Sequence, residues 1–316
     1  MSCELIADKG VTMTIQEVAC GLQFPEGPIA MADGSVILVE IMRGTLSRVS
    51  PDGVVEVIVN LGGGPNGAAM GPDGAIYICN NGGFDWIDVG GQPFPVGRAK
   101  DYTSGRIERV ELESGKATVL YTHCDGIPLS GPNDIVFDAT GGFWFTDLGQ
   151  RHGRQQDRSA VFYAHPDGSL IREVIFPVDS PNGIGLSPDE KTLYVADTAS
   201  ARLWAYDIGA PGEIQAQAGH YAGRCIVGMP GLQHFDSLAV DVQGNICVAT
   251  ILNGGITSIS PDGLQILHTP TGDIATTNIC FGGEELKSAF ITLSGSGRLV
   301  VMDWPTAGLP LNFLNK

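Results

Sequence analysis

Six oxygen-bearing side chains, Glu26, Asn66, Asn133, Asn182, Asp236 and Thr277, each open a short stretch of similar pattern. Two carboxylates with several amide and hydroxyl oxygens form a hard donor set. Such a set suits Ca²⁺, Mg²⁺ or Mn²⁺ better than a thiolate-seeking metal. Two carboxylates neutralise a dication; without one they repel, and one of them tends to keep its proton. The same residues have a plainer reading, in which they cap strand ends and line a wet channel. Which reading holds depends on whether the chain brings the six positions together.

The elements that would do so are repeats. The stretches read EGPIAMADGSVILVE from Glu26, NGAAMGPDGAIYICN from Asn66, NDIVFDATGGFWFTD from Asn133, NGIGLSPDEKTLYVAD from Asn182 and DSLAVDVQGNICVAT from Asp236, with a weaker copy, TNICFGGEELKSAFIT, from Thr277. Each runs from a polar opener through small and apolar residues to a turn, then into a β-rich run, which reads as a hairpin. The openers are 40, 67, 49, 54 and 41 residues apart, and a four-stranded propeller blade takes roughly 40 to 50 residues. The spacing predicts an all-β protein: a single six-bladed β-propeller of four-stranded antiparallel blades over residues 1–316. The excess between Asn66 and Asn133 falls on a Gly-, Pro- and aromatic-rich stretch near 82–105, expected to be a long loop and a candidate lid. The segment VTMTIQEV is expected to pair into the last blade and close the ring. Residues about fourteen positions after an opener (Glu40, Asn80, Asp147, with Asp197 at fifteen) should lie on the same rim. Asp147 and Asp197 serve either as supports for the site or as turn caps.

Composition narrows the partners. The net charge of −17 disfavours a nucleic-acid or anionic-membrane partner, since both need basic patches. Seven scattered cysteines without a C-x-x-C pair suit buried reduced thiols rather than a disulfide framework. The start, MSCELIADKG, lacks the apolar run of a signal peptide, and no segment is long enough to span a bilayer, so a cytoplasmic location is expected. The GGG at 62–64 precedes no helical pattern and is no phosphate loop. Ser237 has no G-x-S-x-G context and is not expected to be a nucleophile.

FPEGP at 24–28, GPND at 131–134, SPNG at 180–183 and HFDS at 234–237, in order and at blade spacing, resemble the senescence-marker-protein/gluconolactonase family, which includes regucalcin and is related to calcium-dependent lactonases. The resemblance spans nearly the whole chain. It implies one divalent cation, Ca²⁺ foremost, with Mg²⁺, Mn²⁺ or Zn²⁺ as alternatives, held by Glu26, Asn182 and Asp236, with Asn133 a ligand or a substrate contact. Thr277 and Ser237 are expected behind the ligands, and Asn66, Arg151 and His152 beside a small lactone. The implied reaction is metal-assisted hydrolysis of a lactone by an activated water. Asp236 is favoured over Glu26 as the base. An organophosphate triester hydrolase, or a non-catalytic binding propeller stabilised by its metal, are the alternatives.

Two departures from the sugar-lactone branch stand out. Gly131 replaces an Arg two residues before the third-blade Asn, and Arg151 replaces a Glu eighteen residues after it. They point to a different lactone, with Arg151 or Arg154 free to pair a carboxylate. His234, two residues before Asp236, is expected to be structural.

Overall fold

Runs such as VILVE, IYICN, FWFTD and ICVAT are apolar without alternation, and a strand of this kind needs cover on both faces. A computed structural model, which describes residues 3–6, 12–215 and 223–315, shows where the cover comes from. The described residues form strands without helix, and six small antiparallel sheets stand around a ring. Blade one runs Pro25–Ala30, Val36–Glu40, Thr45–Val49 and Val55–Asn60, each strand paired with the next. The other blades repeat that order. Their innermost strands are Pro65–Met70, Pro132–Phe137, Pro181–Leu186, His234–Val240 and Thr276–Gly282. Asp-Gly turns join the first two strands in blades one and two; Gly34 and Gly74 take φ of +82° and +75° there, where a side chain would be strained.

Apolar burial lies between blades rather than at a single centre. Ile29, Ile37 and Val39 of blade one pack on Ile76, Ile78 and Val110 of blade two. Trp144, Val161 and Tyr163 of blade three pack on Leu186, Leu193 and Val195 of blade four. The six clusters among the described residues each join two neighbouring blades, so every blade is held by the one before and the one after. The ring closes as expected: Thr12–Ala19 pairs antiparallel with Arg298–Asp303 and completes blade six.

The stretch near 82–105 is not a loop. Phe84–Val89 and Gln92–Arg98 form a β-hairpin inserted between the second and third strands of blade two. Its Gly-Gly turn at 90–91, with φ of +67° and +89°, is the residue pair a tight hairpin asks for, and alternation on either side was obscured by Pro93 and Pro95. Nor are the thiols all buried: Cys79, Cys124, Cys247 and Cys280 are, whereas Cys20 and Cys225 are exposed, and none of these six is in a disulfide. Among the described residues no helix is long and apolar enough to cross a membrane.

Candidate metal and active site

All six innermost strands carry a β-bulge at the opener. The register slips between Glu26 and Ile29, Pro65 and Gly67, Pro132 and Ile135, Pro181 and Ile184, Phe235 and Leu238, and Thr276 and Asn278. A bulge adds a residue on one strand and re-aims the side chains around it. Here it falls at the same level of each inner strand. The residue after the opener then sits against the neighbouring inner strand. A Cβ at Gly27 would lie 2.8 Å from Ala68 N, one at Gly67 2.4 Å from Asn133 O, and one at Gly183 2.6 Å from Asp236 O. Glycine there lets adjacent strands close up around the axis. In the blades without it the residue is polar: Asp134, Ser237 and Asn278.

The predicted openers are thereby gathered at one end of the channel and buried. Glu26, Asn66, Asn133, Asn182, Asp236 and Thr277 are all at most 8% exposed. Glu26 Oε2 accepts hydrogen bonds from Gly27 N at 2.8 Å and Asn278 Nδ2 at 2.7 Å. Burial nevertheless lifts its carboxyl to about 7. Burial also pushes Asp236 well above the ordinary range, and the nearby charges of Glu26 and Asp134 push the same way, against a hydrogen bond from Asn182. Asp134 rises to about 7 through burial and the Glu26 charge. Burial is the larger cause at all three carboxyls, and the Glu26 charge adds to it at Asp236 and Asp134, the pattern a nearby cation would reverse.

The oxygen of Asn133, Oδ1, is buried with no hydrogen-bond partner, a costly state for a polar atom unless something else meets it. Asn182 Oδ1 accepts only a long bond of 3.4 Å from Ser237 Oγ among the bonds described for it. An orphaned amide oxygen beside mutually repelling carboxylates fits a hard divalent cation. Among the described residues no three Asp, Glu, His or Cys side chains form a metal cluster, so a cation here would depend on the amides of Asn133 and Asn182 as much as on Glu26 and Asp236.

Behind the ring, Thr277 Oγ1 joins Ser294 Oγ at 2.5 Å and Thr292 Oγ1 at 3.0 Å, and Ser294 Oγ donates to Pro25 O at 2.6 Å. This hydroxyl network fixes the backbone from which Glu26 projects. The residues near fourteen positions on act as clamps. Glu40 accepts from Gln23 N, Asn80 from Gly64 N, Asp147 from Ser130 N and Gly131 N, and Asp197 from Ser180 N. Each thus holds the chain two or three residues before an opener. His234 is tied through Nδ1 to Thr198 O at 3.0 Å, as a structural imidazole. Arg151 and His152 are exposed on a short ladder with Gln155–Gln156, outside the buried ring.

Sequence reasoning missed Asn278 and Asp134. The doublets Asn-Asp and Thr-Asn were the available signal, since the bulge turns both members of each pair toward the interior. Beneath the ring the channel continues as a largely apolar cavity of about 120 Å³, lined by residues of all six inner strands and crossed at its far end by residues 309–314. Asn312 fastens that segment, donating to Glu190 Oε1 at 2.7 Å and Phe137 O at 3.2 Å. The raised carboxyls of Glu26 and Asp236 and the orphaned Asn133 oxygen belong to the ring above this apolar space.

A six-bladed propeller with an acid–amide ring at one mouth of its channel is the class defined by fold and site. The chain belongs to the SMP-30/gluconolactonase/LRE-like family, whose model matches residues 24–295. It is 26% identical over 315 residues to a gluconolactonase of Zymomonas mobilis, covering 90% of this chain and 80% of that one. It is 28% identical over 253 residues to lactonase drp35 of Staphylococcus saprophyticus, covering 78% and 69%. Among solved structures, a gluconolactonase from Xanthomonas campestris superposes with a TM-score of 0.74 at 22% identity, covering 96% of this chain and 98% of that one. The calcium-binding protein regucalcin from Agrobacterium tumefaciens does so with 0.73 at 17% identity, covering 93% and 94%.

Proposed function

We propose that the protein is a divalent-metal-dependent lactonase, with Glu26, Asn133, Asn182 and Asp236 as the ligand set and Ca²⁺ as the first candidate ion. The observation that supports this most is the convergence of Glu26 and Asp236, both buried and both raised in pKa, with the unpartnered Asn133 Oδ1. The gluconolactonase and lactonase relatives support lactone hydrolysis as the reaction class.

A divalent cation, when bound, supplies Lewis acidity toward an ester carbonyl and favours ionisation of water. The chain's own residues do the rest. Asp236, deprotonated once a bound cation offsets its burial and the Glu26 charge, accepts the proton of the attacking water. Water oxygen bonds to the carbonyl carbon, the ring C–O bond breaks, and the departing alkoxide takes a proton, giving a hydroxy acid. Glu26, anchored by Gly27 N and Asn278, stays in place as a ligand. Asn133 offers its orphaned oxygen to the ion or its amide N–H to the substrate. Asn66, at the same level of blade two, contacts the ring substituents. Arg151 and His152, exposed on their short ladder, are assigned to the outer edge of the substrate rather than to its carbonyl.

The experiment is a lactone panel with the protein stripped by chelator and then reloaded with Ca²⁺, Mg²⁺, Mn²⁺ or Zn²⁺. Turnover should vanish on stripping and return with at least one ion. Asp236→Asn should lower kcat/KM by roughly 10²- to 10⁴-fold, the usual size of a general-base contribution. Turnover that survives stripping, or that Asp236→Asn leaves untouched, would overturn the reading.

A further inference from the structure

The rim around the acid–amide ring carries exposed apolar side chains that a polyhydroxylated substrate does not require. Leu232 is 80% exposed, Leu252 38% and Ile274 45%; on the inserted hairpin Ile87, Val89 and Val96 are 49%, 50% and 48% exposed. Topology puts them at one end of the molecule. Leu232 lies two residues before the inner strand of blade five, and Ile274 two residues before that of blade six. Leu252 follows Ile251, whose cross-strand partner is His234. Leu252 N also donates to Ile274 O at 2.7 Å, joining the two rim segments.

The hairpin completes the arc. It rises from blade two, and Trp86 packs on Phe24, two residues before Glu26, with ring centroids 5.0 Å apart. Its far end reaches blade six. A Cβ placed on Gly295 would meet Gln92 Oε1 at 2.8 Å and Asp273 Oδ1 at 2.9 Å, so the turn carrying Val89 and Gln92 stands at the corner where Asp273 and Ile274 sit. Its base touches blade three, where Gly97 faces Arg151 O. A hairpin anchored at three places has lost much of its freedom before any substrate arrives. Pre-ordered apolar surface binds at lower entropic cost than a mobile loop. Exposed apolar residues scattered singly need no explanation; here Leu252 and Ile274 are joined through their backbones, and the hairpin turn meets the same corner, at the end of the molecule where the openers lie.

We infer that the substrate is a lactone ring bearing an apolar substituent, which the hairpin and the rim of blades five and six hold while the ring carbonyl faces Asp236. This rests on the hydrolase reading above. It narrows that reading, because a sugar lactone would present hydroxyls to Ile87, Val89, Leu252 and Ile274.

The test uses the intact metal-loaded protein and γ-lactones that differ only in alkyl length, with glucono-δ-lactone alongside. Across the shorter chains kcat/KM should rise roughly two- to fourfold per added methylene, as partial to full burial of each group requires. The double variant Ile87→Ser, Val89→Ser should flatten that dependence, whereas Leu264→Ser, 83% exposed on the outer part of blade five, should leave it. Affinity for the matching γ-lactams, measured by calorimetry, gives a readout that needs no turnover and should follow the same series. Turnover of glucono-δ-lactone with no effect of chain length, or a dependence that the double variant does not alter, overturns the apolar-substituent inference alone. Lactam affinity that climbs with chain length while no lactone is hydrolysed keeps the apolar rim and overturns the hydrolase reading. Flat lactam affinity without turnover overturns both.

Discussion

Asn278 shows how a single residue can carry the site without being visible in it beforehand. Its amide donates to Glu26 Oε2 across the blade-six to blade-one boundary, 252 positions away in the chain. Partners that orient a ligand commonly contribute a factor of roughly 10 to 100 in metal affinity. Asn278→Leu should therefore weaken Ca²⁺ binding by that factor in a calorimetric titration, while Asn278→Asp, which adds a fourth carboxyl beside Glu26, Asp134 and Asp236, should shift the pH at which the ion binds. The carboxyls make a further prediction. Glu26 sits at about 7 in the folded chain against an ordinary 4.5, so between these values the folded state holds a proton that the unfolded state has released. Stability of the metal-free protein from this group is therefore full at low pH and is lost as pH climbs through 7. Ca²⁺ should raise Tm more at pH 8 than at pH 5, and an equal rise at both would contradict the ionisation described. At this scale the openers were legible because they recur. Asp134 and Asn278 were not, because an antiparallel strand without its bulge would turn them away from their neighbours.

The elements translate recurrence into geometry through two devices. One is the bulge with its following glycine; the other is the clamp from the end of the second strand. Gly183→Ala would set a Cβ against the backbone of Asp236 and Leu238, at 2.6 and 2.8 Å, where no flexible side chain can give way. We expect a loss of about 1–3 kcal/mol in stability and, because Asp236 itself must shift, a disproportionate loss of metal affinity. Asp147 accepts hydrogen bonds from Ser130 N, Gly131 N and Gly149 N at 2.8, 2.7 and 2.9 Å. Asp147→Ala leaves these donors without their acceptor and should cost about 1–3 kcal/mol, read as a lowered midpoint in urea; a stability within about 0.5 kcal/mol of the parent would show that the clamp is ornamental. The pairing of openers with positions fourteen later was legible from hairpin arithmetic. The inserted hairpin was not: Pro93 and Pro95 argue against a strand, and only its edge position, paired on one side with Phe84–Val89, makes them tolerable.

Across the whole molecule the same logic produces a closed ring whose six apolar clusters each span a blade boundary. Closure depends on the pairing of Gln16 with Val301 and Glu17 with Val300. A proline at position 16 removes a backbone donor from the strand that forms that seam; Gln16→Pro should lower Tm and weaken the proposed metal site together, since blade six carries Asn278 and its neighbour blade one carries Glu26. A fall in Tm with metal affinity intact would mean the ring does not position the site. The architecture was the most legible part of the protein, because six copies of one hairpin repeat the same evidence. The direct test of the account is a calorimetric titration of Ca²⁺ into chelator-stripped protein beside its Glu26→Gln and Asp236→Asn variants. One ion per chain, bound by the parent and lost or severely weakened in both variants, is the expected result; no binding, or equal binding by all three proteins, would contradict it.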